Sequence, residues 1–251
     1  MLNKVPEITL AFWVIKIMST TVGETGADYL AVHVGLGTAI TGGIMLLLLI
    51  AALFMQLTSR QYVPWIYWLT VVLVSVVGTQ ITDALTDRLD VSLYASTTIF
   101  GLMLAATFAV WYAIERTLSI DTIVTTRREL FYWAAILFTF ALGTAAGDLA
   151  TEALSLGFKV GVVAFGGLIA AIAIACYVGA NAVLTFWLAY ILTRPLGASL
   201  GDLLSQSQPN GGAGMGTVKT SIVFLAIIAS LVAYLSIGPN ARNRPKAVEQ
   251  G

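Results

Sequence analysis

The stretch WLAYILTRPLGASLGD (residues 187–202) has the length of a bilayer crossing, yet it carries Arg194, Pro195, Gly197 and Asp202. Three other stretches match it in register and decide how it is read. They are WVIKIMSTTVGETGAD (13–28), WLTVVLVSVVGTQITD (68–83) and WAAILFTFALGTAAGD (133–148). Trp13, Trp68, Trp133 and Trp187 are each followed ten residues later by Gly23, Gly78, Gly143 and Gly197. Five residues further on stand Asp28, Asp83, Asp148 and Asp202. The tryptophans are spaced by 55, 65 and 54 residues. Self-similarity at such a period means that one supersecondary unit has been used four times.

The composition says where the units sit. Of the 251 residues 58% are hydrophobic and 10% charged, and the mean hydropathy is +0.89. A soluble domain carries about 25% charged residues. Each motif-bearing segment is followed by a plainer apolar run, at about 35–56, 93–113, 160–178 and 218–237. Runs of roughly 20 apolar residues span a bilayer core as helices. The expected fold is an all-α integral membrane protein: eight transmembrane helices from four tandem two-helix repeats, at about 8–58, 63–117, 128–180 and 181–238. The chain forms a single transmembrane domain, with residues 239–251 as a tail. An even number of crossings per repeat makes the repeats parallel, able to surround an axis along the membrane normal.

The longest polar stretches, 118–129 and 205–216, leave no room for a soluble domain. The first apolar run contains Lys16 and Glu24 and reads as a retained helix rather than a signal peptide. Cys176 is the single cysteine, which rules out an intrachain disulfide. Zero net charge argues against a nucleic-acid surface.

Orientation follows from the basic residues. Lys4, Arg60, Arg116, Arg127, Arg128, Arg242, Arg244 and Lys246 fall on the side of both termini, against Arg88, Lys159 and Lys219 on the other. The positive-inside rule puts both termini in the cytoplasm. The repeat tryptophans, with Trp65 and Trp111, fall near that face and are expected to form an aromatic belt. Asp28, Asp83, Asp87, Asp90, Asp148, Glu152 and Asp202 sort to the outer ends.

VGETGAD (22–28), VVGTQITDALTD (76–87), LGTAAGDLATE (142–152) and TRPLGASLGDLLSQ (193–206) resemble a bacterial membrane family of unknown function, built from four tandem two-helix repeats with a marked tryptophan. The resemblance covers nearly the whole chain. It implies a multi-pass protein of the bacterial inner membrane and brings no activity with it.

The chemistry must come from the residues. Lys16, Thr20, Glu24 and Asp28 follow at four-residue spacing, as do Ser75, Thr79, Asp83 and Asp87, and Thr144, Asp148 and Glu152. Arg194, Asp202 and Gln206 repeat the pattern, interrupted at Ala198. Residues four apart share a helix face, and polar side chains at membrane depth face a bundle interior or a water-filled cavity. The stripes are expected to meet as an acidic funnel. The motif glycines, about 15 Å inward from their tryptophans, allow close packing or a local break that exposes carbonyls. An unpaired Arg194 would cost about 2.5 kcal/mol or more, so a carboxylate is expected beside it, Glu24 first. Pro195 removes a backbone donor and should kink its helix.

Blander readings stand beside these. An aspartate at a helix end also serves as the cap of a following segment. His33 has no second histidine to ligate with, and Cys176 reads as a small apolar residue. Gly42-Gly43 and Gly166-Gly167 read as helix-packing positions. Residues 205–216 read as a flexible linker.

The expected function is transport of a small solute, with no enzymatic activity. Glu24, Asp28, Asp83, Asp148, Asp202, Thr79 and Thr144 would bind the solute, and Lys16 and Arg194 would act as charge partners. Carboxylates and hydroxyls without thiolates favour a hard divalent cation or a proton as cargo, the five acids serving as metal ligands. No nucleotide-binding motif is present, so coupling would be to an ion gradient, through protonation of Glu24 gated by Arg194. One alternative is an anionic or zwitterionic solute held by Lys16 and Arg194. Another is a non-transporting scaffold or sensor. The bilayer and the solute are the expected partners, and a homo-oligomer is compatible with the glycines of the even helices.

Overall fold

The computed structural model describes residues 3–28, 35, 37–153 and 157–237. Among them are eight long helices and no strand. The helices are α1 (Leu10–Asp28), α2 (Gly37–Thr58), α3 (Pro64–Asp83), α4 (Leu93–Glu115), α5 (Thr126–Asp148), α6 (Gly157–Tyr177), α7 (Ala182–Ser205) and α8 (Thr217–Ile237). Seven of them, α2 to α8, are long and apolar enough to cross a membrane; in α1 the apolar stretch is shorter, Leu10–Gly23. The inner helices start on local signals. Pro64 opens α3, where its missing N–H costs nothing. The Thr125 hydroxyl caps α5 by accepting from the Arg128 N–H, and Asn181 caps α7 by accepting from the N–H groups of Val183 and Leu184.

The repeat splits the helices into two layers. The motif-bearing α1, α3, α5 and α7 are largely buried, while α2, α4, α6 and α8 expose most of their surface. This division follows from the polar stripes, since uniformly apolar helices can face lipid and striped ones cannot. The inner four form a closed ring in which α1 touches α3, α3 touches α5, α5 touches α7 and α7 returns to α1. Each outer helix packs mainly on the inner helix of the following repeat: α2 on α3, α4 on α5, α6 on α7 and α8 back on α1. Each repeat therefore leans on its neighbour, and the last closes on the first.

Two contacts, each made four times, lock the ring. The residue before each motif tryptophan is aromatic (Phe12, Tyr67, Tyr132 and Phe186), and each tryptophan packs on the aromatic of the preceding repeat. Ring centroids are 5.6 Å apart for Trp68 on Phe12, 5.5 Å for Trp133 on Tyr67 and 6.2 Å for Trp187 on Tyr132. Trp13 closes the circle on Phe186 at 5.7 Å. The motif glycines make the second contact. A β-carbon on Gly78 would stand 2.8 Å from the Phe140 Cβ, and one on Gly143 2.5 Å from the Arg194 Cβ. On Gly23 and Gly197 it would run into the hydroxyls of Ser75 and Thr20. Thr20, Ser75, Phe140 and Arg194 all lie seven residues after their tryptophan, so each glycine receives the same position of the next helix. Contacts in register at both levels require the four inner helices to run parallel.

Two expectations change. Trp68, Trp111, Trp133 and Trp187 are buried between helices instead of forming a belt, Trp13 is partly buried against the same core, and Trp65 is 50% exposed. Their indoles fill the ring because a neighbouring aromatic waits one residue before each of them. The glycines act by close packing, since the inner helices run unbroken through all four. Helix α7 also continues through Pro195, whose Cβ stands 3.3 Å from where a β-carbon of Gly147 would be.

Candidate functional site

Positions four residues apart on the inner helices form three buried layers within the ring. The aromatic layer of Phe12, Tyr67, Tyr132 and Phe186 comes first. Lys16, Val71, Ile136 and Tyr190 follow, and then Thr20, Ser75, Phe140 and Arg194. All twelve are buried. In the first layer the Tyr67 and Tyr132 hydroxyls share a hydrogen bond of 2.5 Å between adjacent helices.

The two charged residues among these twelve reach across the ring. Lys16 and Arg194 are each 1% exposed. The Lys16 ammonium, on α1, lies 3.8 Å from the ring centroid of Phe140 on the diagonal helix α5 and 4.3 Å from that of Tyr190 on α7. Arg194, on α7, donates through Nη2 to Thr79 Oγ1 on the diagonal helix α3 at 2.8 Å. Thr79 in turn donates to the Ser75 carbonyl at 3.0 Å, so its hydroxyl proton and one lone pair are both engaged. Among the described residues the Lys16 ammonium makes no ion pair or hydrogen bond, and the Tyr190 hydroxyl finds no partner. The Lys16 ammonium rests instead between two aromatic faces, which attract a cation through their quadrupoles.

Backbone carbonyls supply further polar contacts between neighbouring helices. Ser75 donates to the Ser19 carbonyl at 3.0 Å, Thr82 to that of Ala141 at 3.1 Å and Thr21 to that of Gly197 at 2.6 Å. Thr144 donates within its own helix, to the Phe140 carbonyl at 3.0 Å. These short side chains let the helices approach closely while satisfying one another in a medium without water.

The acids stand toward the other end. Asp83, Asp148 and Asp202 are half-buried at the ends of α3, α5 and α7. After Asp83 and Asp148 the backbone widens into π-turns, Ala84–Arg88 and Leu149–Ala153, a feature frequent at functional sites. Among the described residues no three acidic, histidine or cysteine side chains come together as a metal site. The side chains of Glu24 and Asp28, and His33 as a whole, lie outside the described residues.

The feature missed in the sequence is the aromatic before each tryptophan. Its signal was present, as Phe12-Trp13, Tyr67-Trp68, Tyr132-Trp133 and Phe186-Trp187. Within each pair the rings meet edge to face, at interplanar angles of 84°, 88°, 74° and 76°.

A parallel ring of four polar-striped helices, sheathed by four apolar ones of bilayer length, defines an all-α membrane protein with internal repeats. The model of the family described as Repeat of Unknown Function (DUF347) matches residues 11–62, 66–117, 131–180 and 185–237, and the chain belongs to that family. No curated protein and no solved structure matches it.

Proposed function

We propose that the chain is a transporter of the bacterial inner membrane. It carries a small anionic or zwitterionic solute along the axis of the inner ring, with both termini in the cytoplasm. The observation that carries this reading is Lys16, a fully buried cation on the axis with no carboxylate among its described neighbours. A charge kept at such depth is costly, and proteins retain one mainly on a substrate or ion pathway. The Tyr190 hydroxyl beside it adds a donor. A carboxylate or similar anion supplies acceptors for the Lys16 ammonium and the Tyr190 hydroxyl. A hard cation is the second reading, supported by the half-buried Asp83, Asp148 and Asp202.

Flux into proteoliposomes separates the two. Uptake of labelled small carboxylates that falls to background in Lys16→Met supports the anion reading. Uptake of Mg²⁺ or Mn²⁺ that survives Lys16→Met but is lost in Asp83→Asn and Asp148→Asn moves the assignment to a cation. If neither class moves in the wild type, transport is rejected and a scaffold built on the interlocked ring takes its place.

A further inference from the structure

The chain ahead of α1 does not simply lead into its helix. Asn3 Nδ2 donates to the Ile120 carbonyl at 3.3 Å and the Lys4 N–H to that of Ile123 at 3.1 Å. This lays the segment against the approach to α5, the helix diagonal to α1. The Lys4 ammonium donates to Glu129 Oε2 at 2.7 Å and to the Leu57 carbonyl at 2.9 Å. Gln56 Nε2 donates to Glu129 Oε1 at 3.0 Å and to the Lys4 carbonyl at 3.3 Å. Lys4, Val5, Gln56 and Glu129 are all buried. The segment therefore reaches from α1 to the start of the diagonal helix, at the N-terminal end of the ring, and is fastened there.

The pair sits at a telling depth. Glu129 lies one helical turn before Tyr132, a member of the aromatic layer, and that layer lies one turn before Lys16. A solute moving between Lys16 and the N-terminal end must pass first the aromatics and then this strap. The other ion pairs at this end, from Arg127 and Arg128 to Glu115, join only the end of α4 to the start of α5. Lys4–Glu129 joins the segment ahead of the first repeat to the start of α5. The pair is reinforced by the Leu57 carbonyl on the ammonium and the Gln56 amide on the second carboxylate oxygen, and removing one partner of a buried pair strands the other charge.

We infer that Lys4 and Glu129 form the latch of a gate that closes the N-terminal mouth of the ring, and that the mouth opens when Lys4 leaves Glu129. The purpose of the gate rests on the transport reading, so its test measures access and not flux. In a full-length Cys176→Ser background, Val71→Cys places a thiol on α3 at the level of Lys16. An anionic, membrane-impermeant thiosulfonate is applied to vesicles whose N-terminal ends face the bath. Glu129→Gln and Lys4→Met should each raise the labelling rate at least tenfold, while Lys4→Arg and the exchanged pair Lys4→Glu with Glu129→Lys stay near the background rate. Unchanged labelling in folded single variants overturns the latch, as does an equal rise when the reagent is applied from the opposite face. Should the single variants fail to fold, Gln56→Leu, which keeps the ion pair, decides: a several-fold rise supports the latch and an unchanged rate overturns it. Raised labelling in a chain whose wild type carries no flux would reject transport while keeping the latch.

Discussion

The ammonium of Lys16 stands 3.8 Å above the ring centre of Phe140, on the helix diagonally across the ring. A cation over an aromatic face gains about 0.5–2 kcal/mol. Taking an ammonium out of water costs several kcal/mol even after relaxation. The contact recovers only part of that cost, so Lys16 burdens the fold in which it sits, and a residue that burdens the fold is best explained by what it does.

Lys16→Met is therefore expected to keep or raise thermal stability in detergent while abolishing carboxylate binding. Methionine fills a similar volume against Phe140 and Tyr190 without a charge to desolvate. A scan of melting temperature with and without a small carboxylate reads both effects. A marked fall in melting temperature would instead make Lys16 a structural strut.

Glycines of the inner and outer helices should separate cleanly. Gly143→Ala drives a methyl to within 2.5 Å of the Arg194 Cβ, and overpacking of this kind costs about 1–3 kcal/mol. Gly167→Ala on α6 meets nothing within contact distance and should be neutral or slightly stabilising, because alanine is the better helix former. Equal losses at the two sites would contradict the cyclic packing of the inner ring.

Much of this was legible in the sequence. The period of Trp, Gly and Asp fixed the repeats, and hydropathy fixed the helices. The polar stripes also pointed to the helices that turn inward. Partnership was harder to read: nothing local in Gly23 says that it receives Ser75 rather than opening its helix. The cyclic contacts belong to the assembled ring, not to any one repeat. The tryptophans misled for a related reason, since their depth matches an interfacial belt, and only the preceding aromatic of another repeat draws them inside. The aromatic bed of Lys16 was hidden for the same reason, since Phe140 and Tyr190 lie far along the chain and meet it only across the ring.

The two tryptophans at the start of α3 offer a paired test of that burial. Trp68 is 2% exposed and packs on Phe12, whereas Trp65 is 50% exposed. Trp68→Ala should cost about 3–5 kcal/mol, and Trp65→Ala should lie within about 0.5 kcal/mol of the wild type. Reversible unfolding in mixed micelles measures the difference, and a belt role for Trp68 would bring the two values together.

Thr79 holds the Arg194 guanidinium from across the ring, accepting from it while donating to Ser75. Thr79→Val keeps the shape and removes the acceptor, whereas Thr79→Ser keeps the acceptor. Interhelical hydrogen bonds within membranes contribute about 0.6–2 kcal/mol, so Thr79→Val should lower stability by that order and Thr79→Ser by less. Thr79 also fixes where the guanidinium sits in the layer next to Lys16, so its loss is expected to weaken carboxylate affinity at the proposed site. Isothermal titration of the two variants separates positioning from packing. Affinity lost in Val but retained in Ser assigns the effect to the hydroxyl, while equal affinity in both leaves Thr79 as a packing residue alone.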